Sequence, residues 1–241
     1  MFPILLILFY IIFSSFSLKE KIDQAQIGDF IVSQQSKNYY ILFIRHLDAS
    51  ILQLEEISIP EAKLKSIKNQ WQDWIKQGAP GHTAWVVYTI DLKKNEMKEC
   101  YSFNRKGWLS INQQEAFLIA LFSLPLEPVA SSQRRRIGPP PINGEIDRRA
   151  MWNPPVIING KKGSQPNIKV FTTNWPDDDS PLAHCKLELY FDGKRPDFLF
   201  PCWIEISTPH YTQNVRIIDS GTGMHSLHRF LPTQIDKERK L

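Results

Sequence analysis

Three cysteines in 241 residues, Cys100, Cys185 and Cys202, are too few for a disulfide scaffold. The chain also lacks a Gly-rich phosphate loop, a Gly-x-Ser-x-Gly elbow and a His-Glu-x-x-His pair. The strongest sequence signatures of nucleotide binding, serine hydrolysis and zinc proteolysis are therefore missing. No internal repeat is visible, which argues against a solenoid or propeller. The first seventeen residues contain no charged side chain at all.

That opening stretch is nearly continuous apolar sequence, from Phe2 through Ile4 to Phe13. Ser15-Phe16-Ser17 follows, with small residues where a signal peptidase cutting after Ser17 needs them. The run is shorter than the roughly 20 apolar residues of a spanning helix. No Lys or Arg opens it, and Lys19 and Lys21 lie on its far side. The reading is an exported protein, periplasmic, envelope-associated or secreted. The alternatives are an uncleaved N-terminal membrane anchor and a buried helix of a cytosolic protein.

Without that leader 224 residues remain, enough for one large domain or two small ones without a metal or disulfide staple. Hydrophobic content of 42% and aromatic content of 12% fit a folded chain. The net charge of +4 is unevenly spread: residues 126–166 carry seven Lys and Arg against three Asp and Glu, and the flanks are close to balanced. The same region holds seven of the seventeen prolines between Pro125 and Pro155. Proline fixes φ and lacks an N–H, so Pro139-Pro140-Pro141 favours an extended conformation over helix or central strand. Arg134, Arg135, Arg136, Arg148 and Arg149 bracket that triplet. They read either as solubilising charge on a linker or as an anion-binding loop for lipid headgroups, polysaccharide or an acidic protein surface. A nucleic-acid role would require a cytosolic location and is disfavoured with it.

On both sides of this connector the pattern is mostly β. Phe30 to Val32, Tyr39 to Arg45 and the alternating Ile51 to Ile59 read as three short strands of a curled, small-barrel-like meander. Pro60 is placed to open a helix carrying Leu64, Ile67, Trp71, Trp74 and Ile75 at spacings of three and four, ending at Gly78. Its two tryptophans read as core rather than as a sugar platform. Ala84 to Leu92 and Met97 to Phe103 form a hairpin, and Asn112 with Glu115 caps a second helix, Gln113 to Leu124. Beyond the connector, Ile168 to Thr173, Cys185 to Phe191, Asp197 to Ser207 and Val215 to Ile218 read as strands. The fold class is thus α+β and β-rich. Its parts are a leader or anchor (1–17), a β-rich α+β region (18–124), a basic Pro-rich connector (125–155), a C-terminal antiparallel β region (156–235) and a frayed tail (236–241).

The hairpin expected across Asp192 to Pro196 sets Cys185 within one residue of facing Cys202. A loop one residue different, or a bulge, makes the pair a cross-strand disulfide candidate.

Ile217-Ile218-Asp219-Ser220-Gly221-Thr222 resembles the active-site loop of aspartic proteases, in which two such loops bring a pair of aspartates together to share a proton. No second Asp-Ser/Thr-Gly occurs, so the resemblance implies a dimer with one Asp219 from each copy. The structural alternative is a strand-to-turn cap. Cys100 with His82 is a second catalytic pairing, thiol and imidazole on adjacent strands, for a hydrolase or acyltransferase. His210, His225 and His228 give weak zinc spacing, and consecutive Asp177, Asp178 and Asp179 do not converge as a calcium loop does. No metal or cofactor is expected. The best-supported role is a non-catalytic, exported binding protein whose basic connector meets an anionic surface, with membrane association possible through residues 1–17. A hydrolase is the alternative.

Overall fold

A computed structural model describes residues 16–64, 70–110, 113–142, 145–163 and 167–232. Most of the leader expected at 1–17 and the tail expected at 236–241 lie outside them. The strands are β1 (Phe30–Gln35), β2 (Asn38–Leu47), β3 (Ile51–Pro60), β4 (Ala84–Asp91), β5 (Glu96–Ser102), β6 (Gly107–Trp108), β7 (Glu127–Pro128), β8 (Ile157–Ile158), β9 (Lys161–Lys162), β10 (Ile168–Asn174), β11 (Lys186–Asp192), β12 (Trp203–Ser207) and β13 (Thr212–Gly221). Among the described residues three short helices accompany them: α1 (Leu18–Ile22), α2 (Trp71–Lys76) and α3 (Gln113–Ser123). Eleven of the described strands form one antiparallel sheet in the order β6-β5-β4-β3-β2-β1-β13-β12-β11-β10-β7, and β8 with β9 makes a separate hairpin.

The sheet is two meanders joined at their outer strands. The expected three-stranded meander is present, but it extends instead of closing as a small barrel. β3 continues into β4, and β1 pairs with β13 through Phe30↔Gly221, Ile31↔Ser220 and Val32↔Asp219. The two β regions expected on either side of the connector therefore share one sheet.

Side-chain alternation sorts the core onto two faces. Ile31, Leu52, Leu54, Leu187, Leu189, Ile206 and Ile217 face one way and pack with Leu18 and Ile22 of α1 and Leu121 and Phe122 of α3. Their strand neighbours Phe30, Val32, Ile57 and Ile59 face the other way, against Trp71, Trp74 and Ile75 of α2. Both tryptophans are core residues, as their helical spacing predicts.

The helix expected from Pro60 is shorter than its apolar spacing suggests. Proline ends β3, a single 3₁₀ turn spans Glu61–Lys63, and α-helix is described only at Trp71–Lys76. Ile67 and Asn112 lie outside the described residues. The strand expected from Asp197 starts only at Trp203; Phe198, Leu199 and Phe200 are buried in a loop instead.

The connector forms a layer on the second face of the sheet. Pro128 pairs with Phe171 at the outermost edge, where a residue lacking an N–H is tolerated. Val129, Trp152 and Val156 cover Val170, Tyr190 and Cys202, with the Trp152 ring edge-on to Tyr190 and Trp203 at 5.4 and 5.2 Å.

Candidate ligand cavity

Between the first sheet face and its helical cover the packing is incomplete. A cavity of about 490 Å³ lies there, walled by strands β1 to β4, β12 and β13, by α1 and α3, and by the loop at Leu199 to Pro201. Its wall is mainly aliphatic and aromatic, including Leu42, Leu54, Leu118, Leu121, Phe200 and Ile204. The size and lining are those of a small-molecule site. Exposed Gln35 and Gln213, with half-buried Tyr40, mark the end nearest solvent.

Glu56 of β3 is the one charged side chain on that wall among the described residues. Strand geometry puts it there: it follows Leu54 at a spacing of two and pairs with Leu42 on β2 and Val86 on β4. Burial pushes its carboxyl up to about 7, with no hydrogen bond or opposite charge from the described residues offsetting the effect. Sequence reasoning singled out other residues and passed over this one. The available signal was a glutamate in line with Leu52 and Leu54.

The next residue back, Glu55, has the opposite surroundings. It points to the second face and is fully buried, 2.6 Å from the Arg45 guanidinium. It also accepts from Trp85 Nε1 at 2.6 Å and Ser226 Oγ at 2.9 Å. Arg45 donates onward to Ser226 Oγ at 2.6 Å and to the His228 carbonyl, and the His228 ring stacks on Phe103 at 3.7 Å. This network pins the segment after Met224 to the sheet. His225, next to Ser226 in that segment, is exposed, and so is His210, which lies apart from it in the chain.

The residues expected to be catalytic are not brought together. Cys100 is in register with Tyr88, whereas His82 precedes β4, with its Nδ1 2.8 Å from the Ala79 carbonyl and its ring against Trp85. The offset along the strand removes the thiol–imidazole pairing.

Asp219 is 1% exposed, out of reach of a second copy's aspartate. Its Oδ1 accepts from the backbone N–H of Gly160 at 3.0 Å and of Ser220 at 2.9 Å. Ser220 Oγ donates to the Ile157 carbonyl at 2.8 Å and accepts from Arg195 at 2.9 Å. A Cβ at Gly221 would collide with the Asn159 side chain and the Phe30 ring. The Asp-Ser-Gly motif is therefore a staple holding the β8–β9 hairpin onto the C-terminal end of β13.

The disulfide expectation fails on register. β11 and β12 pair as Lys186↔Ser207 through Tyr190↔Trp203, six residues away from the register that would set Cys185 opposite Cys202. Cys185 packs on the first face and Cys202 on the second, and no bond joins them. The Cys202 thiol contacts the Tyr190 carbonyl at 3.1 Å, and burial pushes it up to about 12.

Four of the five connector arginines are engaged within the chain. Arg134 donates to the Ile168 carbonyl at 3.1 Å and to Asn153 at 2.7 Å. Arg135 lies over the Trp152 ring, 3.3 Å from Glu205. Arg136 and Arg149 share Asp147, at 3.3 and 2.9 Å, and each also donates to a connector carbonyl. Arg148 is exposed. No helix among the described residues is long and apolar enough to cross a membrane.

The architecture has a solved counterpart. A 2.0 Å structure of the hypothetical protein CT021 from Chlamydia trachomatis is similar to this chain with a TM-score of 0.65 and 20% identity, covering 91% of this chain and 98% of the other. At that identity the likeness concerns the fold alone. No curated protein matches the chain. The CT021 protein family matches residues 40–164, from β2 through the hairpin that Asp219 anchors, which is just over half of the sequence. The chain belongs to the CT021 protein family.

Proposed function

We propose that this protein is a non-catalytic binding protein whose ligand is a small molecule with an apolar body, held in the cavity beneath the sheet. One observation carries the reading: a 490 Å³ apolar cavity whose described wall contains one charged group, Glu56, with nothing opposite to neutralise it. A core that served stability alone would close such a space, because each unfilled volume forfeits contacts. It would also have no use for a half-buried carboxyl group set on an apolar wall. The proposal includes export directed by residues 1–17, since an apolar cargo passing between compartments needs a carrier. It gives the connector arginines a structural task, because four of them already have partners in the chain.

The test is titration with the neutral fluorophore N-phenyl-1-naphthylamine, which brightens in apolar surroundings. The parent chain is expected to bind it saturably at one site. Leu118→Trp from α3, or Ile204→Trp from β12 if the first variant misfolds, narrows the cavity and should weaken the signal while far-UV circular dichroism stays unchanged. No saturable signal from the parent, or an equal signal from a folded narrowed variant, would overturn the reading.

A further inference from the structure

We infer that the cavity selects a cationic amphiphile: an alkyl amine whose ammonium group pairs with the Glu56 carboxylate while its tail lies along the apolar sheet face. The inference rests on the cavity being the binding site and deepens that reading by naming the ligand class.

Charge complementarity within the cavity wall favours this class of ligand. Among the described residues no Lys, Arg or His lines the cavity, so none of them brings a cation to Glu56 there. β2 contributes Tyr40 and Leu42, β4 contributes Tyr88, α1 contributes Leu18, and α3 contributes Leu118 and Leu121. β1 and β13 add Ser33, Gln35 and Gln213, all uncharged, and the loop before β12 adds Phe200 and Pro201. The other titratable groups on the described wall are thus the two tyrosines, and neither carries positive charge.

Three kinds of head group would meet that carboxylate differently. An anionic head sets like charges together in apolar surroundings and is repelled. A neutral alcohol leaves the carboxylate unpaired, or forces it to take up a proton first. An ammonium head supplies the missing charge and up to three N–H donors where water competes less than in bulk. Glu55 illustrates the chain's own solution to the same problem, a buried glutamate matched by Arg45 and two further donors. Glu56 is half-buried and has no such match among the described residues, and an amine ligand completes it.

The experiment displaces N-phenyl-1-naphthylamine from the full chain at pH 7.5 with dodecylamine, dodecanol or dodecanoate, each below its micelle concentration. An opposite charge close to a carboxylate favours its ionised form by about one pKa unit or more, and linkage returns the same factor to the ligand. Dodecylamine should therefore displace the fluorophore at a concentration about tenfold or more below that of the other two. In Glu56→Gln the fluorophore should still bind and the advantage of the amine should vanish. Affinity of the parent for the amine should also rise between pH 5 and pH 8, as the carboxyl ionises. Equal displacement by dodecanol, better displacement by dodecanoate, or an amine advantage that survives in Glu56→Gln overturns the inference and leaves the cavity reading standing. Failure of the parent to bind the fluorophore overturns the cavity reading itself.

Discussion

Glu55 and Glu56 are adjacent in one strand and point to opposite faces of the sheet, one into a fully partnered ion-pair network and the other into an apolar cavity that offers it no cation. Strand alternation produces the divergence: a change of one residue is a change of face. The same side chain is a structural tie at one position and, in the proposal above, a recognition group at the next.

The Glu56 carboxyl is raised from 4.5 to about 7, so between those values the folded chain holds a proton that the unfolded chain releases. The stability this gives is present in full below pH 4.5 and is lost as pH rises through 7. Glu56→Gln should remove the dependence. Relative to the parent, the variant should be nearly unchanged at pH 4 and more stable by about 3 kcal/mol at pH 8.5, since each tenfold change in proton affinity is worth about 1.4 kcal/mol. Urea unfolding at the two pH values is the measurement, and an equal difference at both would reject the assignment.

Removing Glu55 should do the reverse. Glu55→Ala strands a buried guanidinium and the Trp85 N–H, at a cost of about 3–5 kcal/mol. The Arg45 side chain is 8% exposed, so water does not replace the lost carboxylate. Because Ser226 and the His228 carbonyl hang on the same network, trypsin should cut faster after Arg229 in this variant than in the parent.

Asp219→Ala should loosen the β8–β9 hairpin. It orphans the N–H groups of Gly160 and Ser220, a loss of about 1–3 kcal/mol. Faster amide hydrogen exchange at Gly160, with little change in β4 and β5, is the expected signature. Unaltered exchange at Gly160 would show that the aspartate is not the anchor.

The connector arginines allow a direct contrast between an internal and an external task. Asp147 is held down to about 2, chiefly by its hydrogen bonds from Arg149. Replacing Arg136 and Arg149 together with Gln should therefore make residues 136–150 more susceptible to brief proteolysis. Sedimentation of the chain with anionic vesicles should stay as it was. Unchanged proteolysis with reduced sedimentation would return these arginines to an outside partner.

The local parts of this fold were legible in the sequence. The β4–β5 hairpin, β2, β3 and α3 fall within a residue or two of where alternation, turn residues and apolar runs put them, and β1 runs three residues further, to Gln35. What was not legible depends on partners far away in the chain. Phe198 to Phe200 is apolar enough for a strand, but it packs into the first face without joining a ladder. The shortened β12 moves the register and separates Cys185 from Cys202. A run of arginines reads as solvent-facing charge, because the carbonyls and carboxylates that receive it belong to irregular backbone that no periodicity announces. Glu56 is the clearest case. Alternation gives its face, while the cover that turns that face into a cavity comes from α1, α3 and the loop at Leu199.

The pairing of β1 with β13 bears on how the chain acquires its structure. Each meander is built from neighbours in sequence and can zip locally, but the seam between them joins residues almost the whole chain apart. Contacts of such separation carry the largest loop-closure cost and form slowly. Until β13 emerges from the ribosome, β1 presents an open edge rich in buried-type side chains, Phe30, Ile31 and Val32. Such an edge invites pairing with another chain. A truncation before Thr212 would leave that edge in the middle of the sheet, so the last strand also protects the protein from aggregating during its synthesis.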